Sequence, residues 1–308
     1  MHNKLKYQMT KKEVQKRIEK LRKIIRVHNH NYYVLDAPEI SDEAFDSLLH
    51  ELIDLEQKYP EFDDLNSPSK RVGGVPADSF IKSRHAIKQW SFDNLFDYEE
   101  LKKWDEKVHR MVEKIGSFTH EPIEYVCELK IDGLKIVLTY EKGEMVSGVT
   151  RGDGVVGEDV TSNVRTIHSI PLVLNEPVDL IAVGEIWMSE KELERINKER
   201  KASGEPEFAN ARNAGAGSMR QLDPKIAASR KLDAFIYDLE SISGIEEPKT
   251  QIEEMNLMQR LGFKVNSNHK LCKTIVEIQD FYKEWAKKKD EEDYGIDGLV
   301  LKINSYLD

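Results

Sequence analysis

Cysteine, which stabilises many secreted and zinc-built proteins, is nearly missing from this sequence. Its 308 residues include only Cys127 and Cys272, which are far apart and stand in different apolar contexts. Two cysteines cannot form a four-cysteine zinc site, and so few are typical of a reducing compartment. We therefore expect a cytoplasmic protein with no zinc in this part of the chain.

Long apolar runs are also absent. No stretch of about 18 apolar residues occurs, as a membrane-spanning helix would require. The N-terminal stretch MHNKLKYQMT lacks the apolar segment of a signal peptide. We expect no membrane segment.

An excess of positive charge is the third missing feature. Lys and Arg number 46 against 56 Asp and Glu, which gives a formal net charge of −10. Proteins that hold nucleic acid mainly through bulk charge are basic. DNA binding by this chain alone is therefore predicted to be weak or absent, although a local basic patch stays open. The length suits one large or two modest domains.

The first 72 residues have the pattern of a small helical unit. Thr10 and Glu13 form a Thr-x-x-Glu capping box, and apolar residues follow at helical spacing. A second helix is predicted after Ser41, with Phe45 in its apolar stripe. Glycines and a proline in residues 73–76 interrupt the pattern and indicate a domain boundary.

From residue 123 the sequence changes to short β-like runs, among them IEYVCEL, LKIVLTY, DLIAVGEIWM and DAFIYDL. Helices are predicted near 98–115, and from a second capping box at Ser189 and Glu192 to about residue 202. The predicted fold class is α+β. A helical N-terminal unit, 1–72, precedes a mostly antiparallel β body with flanking helices, 73–308.

The stretch CELKIDGLKIVLTY carries charged residues and a glycine in an otherwise strand-like run. On a strand, Glu128 and Lys130 share one face, and Asp132 follows just past the strand end. Gly133 permits a turn or a close backbone approach. A lysine made neutral near pH 7 costs roughly 4–5 kcal/mol unless burial or cations lower its pKa. Lys130 is therefore either a buried nucleophile for an anionic substrate or a solvent-facing residue of an amphipathic hairpin, and Lys135 is predicted to face solvent.

Four further stretches carry charge in unusual settings. They are TRGDGVVGEDVTSN at 150–163, VGEIWM with Glu185, FANARNAGAGSMRQLD with Arg212 and Arg220, and YGIDGLVLKI ending at Lys302. Guanidinium groups suit phosphate, so 208–223 is predicted to be a loop for phosphate or ribose. A helix with two surface arginines is the alternative, and a surface hairpin is the alternative for 150–163.

Together these motifs, in this order and over almost the whole chain, resemble the NAD+-dependent DNA ligases. The resemblance implies an adenylation (nucleotidyltransferase) domain with the ATP-grasp-like fold of DNA ligases and mRNA-capping enzymes. It also implies that Lys130 attacks the α-phosphate of NAD+, forms a lysine–AMP phosphoramide and releases nicotinamide mononucleotide (NMN). Asp132 would orient the lysine and a metal ion, and Lys302 would contact the AMP phosphate.

The same resemblance implies a set of nucleotide contacts. Glu128 is similar to the residue that binds the adenine amine, and Arg151 and Glu185 to ribose contacts. Tyr237 would stack on adenine, with Val300 on the other side. The remaining implied contacts are Ser91 and Phe92 beside the adenosine, Asp297 in the motif of Lys302, and Arg212 and Arg220 near the nucleotide or the DNA.

Within residues 1–72, the stretch YYVLDAPEISDEAFD is similar to the helical cap that binds NMN in this family. Tyr32, Tyr33, Asp42 and Asp46 fall on its ligand positions. Aromatic faces can stack on a cationic nicotinamide ring, and carboxylates can hold ribose hydroxyls. Packing between helices is the alternative role of the two tyrosines.

The sequence departs from the family pattern at three positions. Phe45 replaces a tyrosine of the cap, Phe92 reshapes the adenosine pocket, and Val183 replaces an arginine beside Glu185. These departures bear on NAD+ affinity. Two other functions stay open: an ATP- or GTP-using lysine nucleotidyltransferase of the RNA-ligase or capping type, and an inactive nucleotide-binding paralogue.

The resemblance further implies Mg2+ near the NAD+ phosphates, with Asp132 or Glu185 as candidate ligands. The chain is expected to be the monomeric adenylation region of a larger bacterial ligase of DNA repair and replication. The partner of that larger enzyme would be nicked double-stranded DNA.

Overall fold

The computed structural model describes residues 9–72, 77–115 and 122–306 and has the predicted α+β class. Within those ranges, no helix is long and apolar enough to cross a membrane. The domain boundary predicted in residues 73–76 lies outside the described part of the chain.

Two packed helices, α1 (Lys11–Tyr33) and α2 (Asp42–Lys58), form the N-terminal unit, which we call the cap. The capping box at the start of α1 is confirmed, because Thr10 accepts from Glu13 N while the Glu13 carboxylate accepts from Thr10 N at 2.7 Å. Ser41 caps α2. The two helices bury a shared apolar core of Val14, Ile18, Leu21, Ile25 and Leu52, against which Phe45 also packs.

Short 3-10 helices follow at Pro60–Phe62 and Pro68–Val72, and another lies at Lys289–Glu291. The remaining elements are, in chain order, β1 (Lys82–Arg84), α3 (Tyr98–Ile115), β2 (Tyr125–Ile131), β3 (Leu134–Glu141), β4 (Glu144–Thr150), β5 (Val156–Glu158), α4 (Thr161–Val164), β6 (Asp179–Trp187), α5 (Glu190–Ala202), α6 (Ala211–Met219), α7 (Pro224–Ala228), β7 (Asp233–Ser243), α8 (Gln251–Leu261), β8 (His269–Cys272), α9 (Ile275–Lys288) and β9 (Ile296–Ile303).

The strands form three antiparallel sheets with the orders β8-β2-β9, β4-β3-β6-β7 and β1-β5. Strand β2 is central in the first sheet and is buried on both faces. Val126 joins the apolar core of the four-stranded sheet, whereas Tyr125, Cys127 and Leu129 join a second core with α3 and α9. Because side chains alternate along a strand, Glu128 and Lys130 continue the face of Val126, toward the second sheet.

The two cysteines lie together, contrary to the expectation of separate contexts. Cys127 Sγ and Cys272 Sγ are 3.5 Å apart in the same core, on the paired strands β2 and β8. Both are free thiols, and burial is the main cause that raises the pKa of each. They are therefore packing residues and poor nucleophiles.

The cap contacts the β body mainly through backbone carbonyls. The buried Arg71 guanidinium donates to the carbonyls of Ile167 and Ile170 at 2.6 and 2.8 Å. The Tyr33 ring stacks on His168, with ring centroids 4.4 Å apart. Burial, with a further contribution from the charge of Arg71, lowers the pKa of His168 to about 3, so this ring is neutral where it packs.

Two local predictions need correction. Ser189 caps α5 as expected, but Glu192 bonds to Arg195 at 2.9 Å and does not complete the reciprocal capping box. Residues 211–219 form the helix α6, not a loop, with Asn210 as its N-cap. Small alanine side chains let this helix pack closely, with Ala211, Ala214 and Met219 in the core.

Candidate active site

A cavity of about 260 Å³ is lined by both larger sheets. Five of its lining side chains are cationic and two are carboxylates, although the chain as a whole is acidic. The cationic residues are Lys130, Lys135, Arg151, Arg212 and Lys302, and the carboxylates are Glu128 and Glu185. Charges of one sign in a concave site favour a ligand of the opposite sign. The cavity therefore suits an anion.

Lys130 reaches this cavity from the end of β2. Its Nζ donates to both carboxylate oxygens of Asp297 at 2.7 Å, across a register shift between β2 and β9. The sequence suggested convergence with Glu128 and Asp132, but Asp132 accepts from Arg212 at 3.1 Å instead. Nζ would have to move out of this pair with Asp297 to attack a bound substrate.

Gly133, which follows Asp132, allows the close backbone approach that the sequence predicted. A Cβ on Gly133 would lie 2.2 Å from the carbonyl oxygen of Ile186. Only glycine allows the β2–β3 turn to approach β6 this closely. The turn thereby holds Asp132 beside the cavity.

Glu128 and Lys302 form an ion pair with little solvent access. Lys302 Nζ lies 3.0 Å from Glu128 Oε1, and the two side chains are 12% and 10% exposed. The same amine donates to the Tyr237 carbonyl at 2.6 Å. Burial raises the pKa of Glu128, and the charge of Lys302 partly offsets that rise. The pair forms part of the cavity wall with Tyr237 and Val300.

Glu185 projects from β6 into the same cavity. Burial raises the pKa of Glu185 to about 7, partly offset by the charges of Arg212, Lys130 and Lys135. The carboxylate therefore changes charge near neutral pH. Val183, two residues earlier, is fully buried in the sheet.

One wall of the cavity is a segment without regular structure, residues 85–97. Trp90, Ser91 and Phe92 line the cavity there, and Ser91 Oγ accepts from Arg151 Nη2 at 2.6 Å. Phe92 is 62% exposed. Sequence reasoning singled out Ser91 and Phe92 but missed how the segment is held.

The anchor of this segment is Gln89, which is buried. Its Nε2 donates to both carboxylate oxygens of Glu240 at 2.8 Å, and its backbone N–H donates to the carbonyl of Gly154. Glu240 lies on β7 near Lys135, and burial raises its pKa. A buried amide paired with a distant carboxylate leaves no periodic signal in a sequence.

We expect Glu240→Ala to release this wall. The loss of a charged hydrogen-bond acceptor should weaken binding of AMP, the nucleotide that the sequence resemblance implies, about tenfold, with a smaller effect on the melting temperature. Isothermal titration with AMP measures it. Glu240→Gln, which keeps one acceptor oxygen for Gln89, should recover most of the affinity, and equal weakening by both variants would contradict this role.

Lys135 was predicted to face solvent, but it is only partly exposed. It lies on β3 directly opposite Glu185 of β6, and its side chain lines the cavity. Burial lowers the pKa of Lys135, partly offset by the carboxylates of Glu240, Asp238 and Glu185. The alternation of β3 could not show this, because the cavity is formed by residues from distant parts of the chain.

Arg220 does not reach the cavity. It lies at the end of α6, is exposed and bonds to Glu158 at 3.2 Å. Arg212, the second residue of the same helix, lines the cavity and bonds to Asp132. The helix therefore presents the two arginines to different surroundings.

The four cap residues lie together on the cap, and none of them lines the cavity. The charges of Tyr32, Asp42 and Asp46 act on the Tyr33 hydroxyl, whose pKa is raised mainly by burial. Tyr32 and Tyr33 are 47% and 37% exposed. The described contacts thus do not make these tyrosines part of the core between α1 and α2.

A metal ion would not find a preformed protein cage here. In the described part of the chain, no group of three or more His, Cys, Asp or Glu side chains could hold one. Mg2+ commonly binds through one or two carboxylates together with substrate phosphates and water. Asp132 and Glu185 fit that mode, as ligands shared with a bound nucleotide.

A lysine beside a cationic cavity between two antiparallel sheets is the arrangement expected of a lysine nucleotidyltransferase. Two family models match the chain: the NAD-dependent DNA ligase adenylation domain over residues 77–307, and the DNA ligase-like N-terminal NAD+-binding domain over residues 11–73. The chain belongs to the NAD-dependent DNA ligase family.

Curated relatives agree with this family. The chain is 48% identical to the DNA ligase of Carboxydothermus hydrogenoformans over 96% of its own length and 44% of that protein. It is 47% identical to the DNA ligase of Natranaerobius thermophilus, over 96% and 43%. It is 42% identical to the DNA ligase of Shouchella clausii, over 97% of its own length and 44% of that protein. The chain thus spans less than half the length of these relatives.

Proposed function

We propose that this chain performs the adenylation step of an NAD+-dependent DNA ligase. Lys130 Nζ attacks the α-phosphorus of NAD+, a P–N bond forms, and the bond from that phosphorus to the NMN phosphate oxygen breaks. The products are lysine–AMP and NMN. The observation that carries the proposal is Lys130 beside a cationic cavity that is lined by most of the residues that the resemblance assigns to the adenosine and its phosphate.

The side chains around Lys130 are proposed to have separate roles in the transfer of AMP. Asp297 holds Nζ in the resting site and is placed to accept its proton. Lys302 and Arg212 stabilise the charge on the transferring phosphate, and Mg2+ with Asp132 or Glu185 would neutralise further phosphate charge. Because little covalent chemistry is left to the protein, positioning and charge stabilisation dominate the barrier.

The adenosine would lie between the sheets. Glu128 offers a carboxylate to the adenine amine, while the Tyr237 ring and Val300 offer apolar surfaces to the base. Arg151 and Glu185 would contact the ribose, near Ser91 and Phe92. Arg220 lies apart from the cavity and is proposed to contact DNA in the larger enzyme.

The cap is proposed to choose NAD+ over ATP as the AMP donor. Asp46→Ala should lower the rate of adduct formation from NAD+ by on the order of 100-fold, because it removes a contact to the leaving NMN. AMP binding should stay unchanged, since Asp46 does not line the cavity. Release of NMN, followed by chromatography, measures the effect.

A matched control for this variant is Asp54→Ala, another exposed aspartate of α2. It should leave the rate unchanged. Equal rates for Asp46→Ala and the parent chain would contradict the role of the cap. An ATP- or GTP-using enzyme of the same class would show no dependence on Asp46.

The larger protein is proposed to be a cytoplasmic bacterial ligase that seals nicked double-stranded DNA in repair and replication. For this chain alone we propose a monomer with weak DNA binding. The acidic balance supports weak binding, because no bulk positive charge is available to phosphates.

A further inference from the structure

Lys135 differs from the other four cationic side chains of the cavity. Each of the four has a hydrogen-bond or ion partner. The pairs are Lys130 with Asp297, Arg151 with Ser91, Arg212 with Asp132, and Lys302 with Glu128. Among the described residues, none pairs with the Lys135 amine within hydrogen-bond or ion-pair distance.

Lys135 is partly buried, so its amine has water or a bound ligand group as its remaining partners. Lys135 cannot turn away from the cavity easily. The backbone of Lys135 lies in the central strand β3, between β4 and β6. Glu185 lies directly opposite it on β6, and Arg151 follows the end of β4 on the other side. A ligand in the cavity would therefore lie within reach of this amine.

We infer that Lys135 is a further substrate contact, one that donates to the ribose of the bound adenosine. The inference deepens the proposed function and rests on it in one respect, that the cavity takes an adenine nucleotide. No motif of the sequence analysis assigned a role to this residue.

The position of Lys135 favours the sugar over the phosphates. The reacting phosphate must lie at Lys130, and Lys130 acts electrostatically on Glu185. Lys135 instead lies directly opposite Glu185 and next in line to Arg151, the two residues proposed to contact the ribose.

Local charge supports the same choice. The carboxylates of Glu240, Asp238 and Glu185 offset the positive charge of Lys135 and disfavour a second anion there. A hydroxyl oxygen of the sugar can accept from the ammonium group without this repulsion. The base is less suited, because the aromatic and aliphatic surfaces of Tyr237 and Val300 lie on other strands.

The test is isothermal titration of the chain with AMP, adenosine and adenine, at fixed ionic strength. Lys135→Met removes the amine but keeps most of the aliphatic length. It should weaken binding of AMP and of adenosine by the same factor, about 10- to 100-fold, since a hydrogen bond to a charged group is lost. Adenine should bind equally to both proteins.

Two further variants keep this result interpretable. Lys201→Met changes an exposed lysine of α5 and should alter none of the three affinities. Lys135→Gln, which retains a donor, should recover part of the affinity for adenosine. Melting curves establish that each variant is folded.

Loss of affinity for AMP alone would place Lys135 at a phosphate and overturn the inference. Loss of affinity for adenine would place Lys135 at the base and would also overturn the inference. Unchanged affinities would also overturn it, while AMP binding by the parent chain would leave the proposed function standing. A parent chain that binds neither AMP nor adenosine would overturn both.

Discussion

Lys130→Ala is expected to yield no lysine–AMP when incubated with NAD+ and Mg2+, a loss of at least about 1,000-fold in adduct formation. The reason is chemical, because the new P–N bond needs an amine at this position. Lys302 is already held by Glu128 and Lys135 lies on the other sheet, so neither can substitute. Intact mass spectrometry measures the adduct directly.

Lys130→Arg is the informative companion variant. Arginine keeps a positive charge for Asp297 but stays protonated at any ordinary pH. It should therefore preserve AMP binding and abolish the adduct. Lys201→Ala should react like the parent chain. A normal adduct in Lys130→Ala would contradict the assignment of the nucleophile.

Lys302→Met is expected to damage both stability and activity. It leaves the Glu128 carboxylate in a site only 10% exposed without its cation. Breaking such a pair costs about 3–5 kcal/mol of unfolding free energy. Adduct formation should fall on the order of 100-fold, because a cation that stabilises the phosphate is lost. Urea denaturation and the initial rate of adduct formation measure the two effects.

The double variant Glu128→Gln with Lys302→Met separates stability from chemistry. Replacing both members of a buried ion pair is often neutral for stability. The double variant should therefore regain most of the unfolding free energy and still form the adduct slowly. Parent-like stability of Lys302→Met alone would show that the pair is not effectively buried.

Local features of the fold were predictable from the sequence because their causes are local. The Thr10–Glu13 box, the N-cap at Ser41 and the strand that carries Glu128 and Lys130 each depend on residues within one short stretch. The α+β class follows from the change of periodicity near residue 123. These predictions agree with the structure.

The pairing of charges was not predictable, because partners come from distant parts of the chain. Lys130 bonds to Asp297, 167 positions away. Gln89 finds Glu240 at a separation of 151. Adjacent carboxylates in the motif suggested a local cluster, and only the antiparallel register of β2 with β9 shows the actual arrangement.

Two errors have a common physical origin. Lys135 was assigned to solvent and residues 211–219 to a loop, each on residue type alone. The face of β3 that carries Lys135 lines a cavity formed by distant parts of the chain, so the residue is only partly exposed. Glycines in α6 are tolerated because the helix packs closely, and Gly217 lies against the Phe208 ring.

The measurement that tests the central claim most directly is the intact mass of this chain after incubation with NAD+ and Mg2+, beside a parallel sample with ATP. The account predicts a gain of one AMP from NAD+, none from ATP, and the modification mapped by peptide digestion to Lys130. A gain from ATP and not from NAD+, or modification of another residue, would contradict it.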